Sequence, residues 1–359
     1  VYIHNSNHIN IKKNTLYNNG ESQLTMKHDN IAPDYPITNC IVDSNIFVAK
    51  KANKWVAKFM TIDNGISDMG SFNYNYYFRP LDDDKIINSQ YININGLTVQ
   101  QPLSLAQWSA TYNKDLTSTK SPVQLQLYTV NSVLSENTIG NPSFVSDLTG
   151  WGNWSNYSNN QISLALGQGV GGSNALKGTF VTPSGYSNGY MDIYTVVPMS
   201  AGKKYRLRFA ARSTSASAFI QMSAFKNATP YNSVANGGKS VELKSSFNNY
   251  ELVFDAISTE PATRINFRFS EGQGDLYLDN VELVEVDATI KSIDECIIFD
   301  YNSTNTDKTI VLADNYLDVA GTVYAGSITL KPFTSLLLFK GVSLTNDIQP
   351  IENETNFSL

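Results

Sequence analysis

From about Asn137 to Val286 the apolar residues of this chain alternate with polar ones, and no helical stripe interrupts the pattern. The segments MDIYTVV (Met191 to Val197), KKYRLRFAAR (Lys203 to Arg212), AFIQMSAF (Ala218 to Phe225), NYELVFDA (Asn249 to Ala256) and RINFRFS (Arg264 to Ser270) show it most clearly. Gly, Ser, Asn or Pro turns separate them. A period of two sends successive side chains to opposite faces, so each segment buries one side only. Many such strands in sequence must stack as two sheets, and the stretch is expected to fold as a β-sandwich.

Three pieces of this stretch carry a family resemblance. It opens with Asn-x-Ser-Phe followed by Gly-Trp (Asn141 to Trp151), continues through a Pro-x-Ser-Ala-Gly-Lys-x-Tyr turn (Pro198 to Tyr205), and closes with Tyr-Leu-Asp-Asn-Val-Glu-Leu (Tyr277 to Leu283). In order and spacing they resemble a carbohydrate-binding module of the family 4, 9 and 22 type. The resemblance implies a jelly-roll sandwich that binds a glycan and often holds a structural calcium. It also implies that Trp151 belongs to the core, and that Asp279 with backbone oxygens near Ser143 would hold Ca2+. The family often has a Glu after Asn-x-Ser-Phe; here that position is Val145. Asp279 bonding backbone amides at a strand end is the other reading.

Glycan binding needs flat apolar faces with a few planar polar groups in the same plane. Two regions offer them: the loop GNWSNYSNN (Gly152 to Asn160), with Trp154 and Tyr157, and the strands bearing Tyr190, Asp192 and Tyr194, then Arg212, Gln221 and Tyr231. On a regular strand Tyr190, Asp192 and Tyr194 share one face. A Trp or Tyr in a sandwich is a core or rim residue more often than a ligand platform, and each aromatic is weighed against that reading. Richness in Asn and Tyr suits a neutral glycan, while Arg206, Arg208 and Arg212 leave room for an acidic one.

A second feature lies nearer the start. Asn14, Asn45 and Asn75 recur at almost fixed spacing, each within strand-like apolar sequence: INIKKNTLY, CIVDSNIFV and SFNYNYYF. Stacked coils produce such a period, because an Asn in a tight turn can bond its own backbone and the Asn of the next coil. The segment resembles the final coils of a right-handed parallel β-helix of the pectin-lyase-like kind; three ordinary Asn turns in a β-domain are the alternative. LSLAQWSATYNKD (Leu103 to Asp115) suits a short helix at the solenoid's end, and SPVQLQLYTV (Ser121 to Val130) a strand leading into the sandwich. After the sandwich, Tyr316 to Lys340 is similar to the small β-sandwiches that brace glycoside hydrolases, so the binding module reads as an insertion ahead of the brace.

The expected organisation is therefore all-β: end coils with a capping segment (residues 1–133), a carbohydrate-binding jelly roll (134–287), a small bracing sandwich (288–345) and a linker (346–359). The linker resembles the lead-in to a sorting domain of Bacteroidetes-type secretion. The chain starts within the strand-like VYIHNS, which reads as a fragment of a longer exported protein.

Charged residues make up only 16% of the 359, aromatics 11% with 20 Tyr, and the net charge is -6. That profile suits a secreted or cell-surface β-protein acting as a monomer, and it gives no basic patch for nucleic acid. No apolar run approaches the ~20 residues of a membrane span. Cys40 and Cys296 could form one long-range bridge or remain two buried thiols.

For catalysis, His28, Asp29 and Asp34 form the local acid-base cluster of the coils; they could edge a glycosidase or lyase site, or form a solvated turn between coils. Asp82, Asp83 and Asp84 read as a charged loop. The function expected is polysaccharide binding by the C-terminal part of a secreted carbohydrate-active enzyme. A coil-borne hydrolase or lyase and a purely structural spacer are the rivals.

Overall fold

A computed structural model describes the chain except residues 52, 81–84, 121–124, 126, 158–159, 182–188, 216–217, 237–238, 271–273 and 341–359. The charged loop at Asp82 to Asp84 and the linker expected over 346–359 lie outside the described residues, as does part of the strand expected over Ser121–Val130. Its described part is strand at Tyr128–Val133. The chain divides into two compact units, Val1–Thr129 with Thr289–Ser343, and Val130–Ala288.

The first unit begins as a parallel β-helix. Short strands stack in three sheets: Tyr2–His4, Ser22–Lys27, Trp55–Met60 and Ile87–Ile92; Asn10–Lys12, Cys40–Asp43 and Gly70–Asn73; and Thr15–Tyr17, Ile46–Val48, Tyr76–Phe78 and Thr119–Lys120. Apolar residues one coil apart fall in register, Ile11 beside Val42 beside Phe72, and Leu16 beside Phe47 beside Tyr77. All six are buried, so each column removes a continuous apolar stripe from water.

The turn between the second and third sheets repeats in every coil. Lys13, Ser44 and Tyr74 each adopt left-handed backbone (φ 56°, 55° and 53°), and the ladder asparagine follows. Asn45 Oδ1 accepts the Asn14 backbone N–H at 3.0 Å and the Asn14 amide at 3.2 Å; Asn75 Oδ1 accepts the same pair from Asn45 at 3.0 and 3.1 Å. The repeat in the sequence is thus a hydrogen-bonded ladder.

At the end of the coils sits the expected helix, Leu105–Tyr112, started by a Ser104–Gln107 capping box and stopped at Asn113 in left-handed conformation. Its Trp108 is fully buried and stacks on Phe59 with centroids 4.3 Å apart. The strands Ile297–Tyr301, Ser335–Phe339, Tyr316–Leu317 and Val323–Tyr324 form an antiparallel sheet, and Lys308–Val311 pairs with Ser327–Leu330. The larger sheet packs on the third coil sheet: Val48, Phe78, Ile297, Leu337 and Phe339 share one core, and Phe78 stacks on Phe339 at 5.2 Å. Cys40 and Cys296 are both free and buried.

The second unit is a sandwich. One sheet runs Trp151–Ser155, Tyr190–Met199, Glu260–Ser270, Phe219–Lys226, Lys239–Glu242; the other runs Ile162–Ala165, Ala175–Gly178, Leu276–Ile290, Lys204–Ser213, Asn248–Asp255, with Tyr128–Val133 also pairing with Leu276–Ile290. Between them lie Phe144, Trp151, Met191, Ile193, Phe209, Ile220, Met222, Ile265, Phe267, Phe269 and Leu283. Trp151 is in the core, edge-on to Phe144 at 5.2 Å.

Candidate functional site

The outer face of the five-stranded sheet follows from the inner one. Because Met191 and Ile193 point into the core, Tyr190, Asp192 and Tyr194 point out; because Ile265, Phe267 and Phe269 point in, Arg264, Asn266 and Arg268 point out beside them. Register then assembles rows across the sheet. Trp154, Asp192, Arg268 and Gln221 are successive cross-strand neighbours, and so are Gly152, Tyr194, Asn266 and Ser223.

The rows hold each other by charge and by ring stacking. Arg268 donates to Asp192 through two nitrogens, at 2.6 and 2.7 Å, and Asn266 Nδ2 adds a third bond to the same carboxylate at 3.1 Å. The Asp192 carboxylate accordingly raises the pKa of the Arg268 guanidinium above its usual value. That guanidinium lies 4.0 Å from the Tyr190 ring centroid, and Tyr190 meets Trp154 at 5.5 Å. Further along, Arg264 lies 4.1 Å from the Tyr194 centroid and 5.5 Å from that of Tyr231. Gly152 permits this arrangement: a Cβ there would stand 3.0 Å from the Tyr194 ring, so the ring lies down across the glycine.

Trp154 and Tyr231 are about half exposed and Gln221 is exposed, whereas Asp192 is buried under its partners. The result is a surface of two aromatic patches with fixed guanidinium and amide groups between them. Such a face can stack on the CH side of a sugar ring and donate to its oxygens.

Of the residues expected to bind glycan, the fold brings Trp154, Tyr190, Asp192, Tyr194, Gln221 and Tyr231 onto this face. Tyr157 is turned to the Phe180 ring, at 6.1 Å, beside Gly189. Arg212 does not join them: it is on the other sheet, stacked on Tyr277 at 3.7 Å and bonded to Gln168. Arg264, Asn266 and Arg268 were missed, although their alternation in RINFRFS is the signal that would have found them.

Asp279 is fully buried, and donors surround it. Val170 N–H at 2.9 Å and Ser173 Oγ at 2.8 Å reach Oδ2, and Asn280 N–H reaches Oδ1 at 2.8 Å. Calcium takes six to eight oxygens. Among the described residues no group of three His, Cys, Asp or Glu could hold a metal ion, and Val145, where a Glu would stand, is exposed. Ser143 precedes Phe144 in the turn at the start of the sandwich. In this structure the Asp279 carboxylate is tied to N–H and O–H donors.

In the coils, His28 is buried, with Nε2 3.0 Å from the Pro33 carbonyl and Nδ1 3.3 Å from Thr61 Oγ1. Asp29 pairs with Lys27 at 2.8 Å and His4 at 2.9 Å, and accepts from Asn5 and the Ile31 amide. The Lys27 bond, then those from Ile31, His4 and Asn5, hold its carboxyl well below the usual carboxylate range. Asp34 is exposed. A carboxyl so depressed is a poor general acid or base near neutral pH.

No protein-family model matches the chain, and no curated protein matches its sequence. Solved structures do match. The enzymatically active domain of bacteriophage CBA120 tailspike protein 4 has a TM-score of 0.36 and 13% identity over 79% of this chain, which spans 44% of that chain's length. A CBM4 structure gives 0.34 and 15% identity over 41% of this chain and 99% of its own. TmCBM61, in complex with β-1,4-galactotriose, gives 0.32 and 17% identity over 42% and 99%. Among the described residues no helix is long and apolar enough to cross a membrane.

Proposed function

We propose that the chain binds polysaccharide on the outer face of the five-stranded sheet. The observation that carries this reading is the pairing of the Trp154–Tyr190 and Tyr194–Tyr231 patches with planar groups fixed between them, Arg268 by Asp192 and Arg264 by the two tyrosines. Rings lying along a sheet suit an extended chain of sugars, each contributing modestly.

In this reading the sandwich is a targeting module of a secreted carbohydrate-active enzyme, inserted between the coils and their brace. The discontinuity of the first unit, which ends at Thr129 and resumes at Thr289, supports the insertion. A bound sandwich would raise the effective concentration of an attached catalytic surface at its substrate. Affinity electrophoresis of the full chain through gels containing neutral and acidic polysaccharides tests the reading. Retardation by at least one glycan, abolished in the Trp154→Ala, Tyr194→Ala double variant, is expected; uniform mobility in all gels overturns it.

A further inference from the structure

Resting on that reading, we infer that the Arg264 end of the face is a subsite for an anionic sugar, one carrying a carboxylate or a sulfate. On this face Arg268 is neutralised by Asp192, and elsewhere in the sandwich Arg206 pairs with Glu282 at 2.9 Å and Arg208 with Glu251, while Arg212, on the other sheet, bonds the neutral Gln168 and stacks on Tyr277. Arg264 has no carboxylate in ion-pairing reach among the described residues. Its one hydrogen bond runs from Nε to the neutral Asn227 Oδ1, which leaves both terminal nitrogens of the guanidinium fork free of protein partners there.

The surroundings make that charge count. Arg264 is half-buried, sits between the Tyr194 and Tyr231 rings, and has Val196 and Phe225 as cross-strand neighbours. Water competes weakly at such a place, and a fork held by one bond and two rings presents parallel N–H groups that match a carboxylate or sulfate. A second observation comes from the next outward position on the strand. Asn266 is 1% exposed, and its Oδ1 has no hydrogen-bond partner among the described residues. A buried acceptor left open beside an uncompensated cation is an incomplete polar site. A sugar bearing both an anionic group and hydroxyls supplies what each lacks.

The test measures binding of the full chain to matched pairs: polygalacturonate against its fully methyl-esterified form, and a sulfated galactan against the same galactan desulfated. The anionic member of at least one pair should bind about tenfold or more tightly, with the preference shrinking as NaCl is added. Which pair responds tells carboxylate from sulfate. Arg264→Gln should collapse the ratio, Arg264→Lys should keep part of it, and Arg212→Gln on the other sheet should keep all of it, thermal unfolding confirming that each variant is folded. Equal binding within both pairs, or a ratio that survives Arg264→Gln, overturns the inference while polysaccharide binding itself stands. Failure to bind any member or any neutral glycan overturns both.

Discussion

The side-chain amide of Asn75 donates to Asp115 Oδ1 at 3.0 Å, so the asparagine ladder of the coils ends on a buried carboxylate. Asp115 also accepts from Ser118 Oγ at 2.6 Å, Tyr77 OH at 3.0 Å and Trp108 Nε1 at 2.9 Å. Four donors from the last coil, the capping helix and the following turn therefore depend on one side chain. Asp115→Ala would orphan buried donors at about 1–3 kcal/mol each, and the first unit should lose roughly 3 kcal/mol or more. Hydrogen exchange of the Thr119 amide, which bonds the Asn75 carbonyl, reports the loss; unchanged protection would contradict it.

Tyr74 holds left-handed backbone at φ 53° and is 61% exposed. An L-residue there carries a steric cost of roughly 1–2 kcal/mol that glycine avoids, partly offset by glycine's larger loss of freedom on folding. Tyr74→Gly should raise the urea midpoint of the first unit by the equivalent of up to about 1 kcal/mol. A lowered midpoint would mean the tyrosine contributes packing that outweighs its strain.

Asp29 titrates below its unfolded value of about 3.9, so its stabilising effect is complete above that pH and is lost as the pH falls toward the folded value. Asp29→Asn should flatten the fall in stability of the first unit between about pH 4 and pH 2. Urea midpoints across that range decide it, parallel curves for parent and variant being the contrary outcome. Where the chain is tested for glycan cleavage at neutral pH, the same variant should make no difference.

Trp154→Ala and Tyr194→Ala should each weaken glycan binding by roughly three- to tenfold, about 0.6–1.4 kcal/mol, at little cost in stability. Tyr157→Ala should do the reverse, because that ring packs on Phe180. Isothermal titration and thermal melts of the three variants separate the roles; equal loss of affinity in Tyr157→Ala would enlarge the binding face.

Removing Asp279 should destabilise the sandwich whether or not calcium is present, since the Val170 and Asn280 backbone amides would lose their acceptor. Melting of the parent should be indifferent to a chelator. A large upward shift with calcium would show that the ion displaces those donors.

Alternation alone made much of the sandwich legible. Once Met191 and Ile193 are assigned inward, Tyr190, Asp192 and Tyr194 must face outward, and the same logic applied to RINFRFS places Arg264, Asn266 and Arg268 there too. The Asn14, Asn45 and Asn75 spacing likewise marked the coils, because a ladder bond forms only where turns repeat in register. These are properties of a backbone period, which one strand or one turn carries by itself.

What a single strand cannot carry is its neighbour. Arg212 and Gln221 are close in the chain, yet sheet pairing puts Arg212 against Tyr277 and Gln221 against Arg268, on opposite faces of the sandwich. Whether an arginine is neutralised, as Arg268 is by Asp192, or left between two rings, as Arg264 is, depends on which strands adjoin. Local period is enough to specify the β-strands, the coil repeat and which residues of each strand share a face. Which strands lie side by side is settled by long-range burial of both sheets at once and not by any local period.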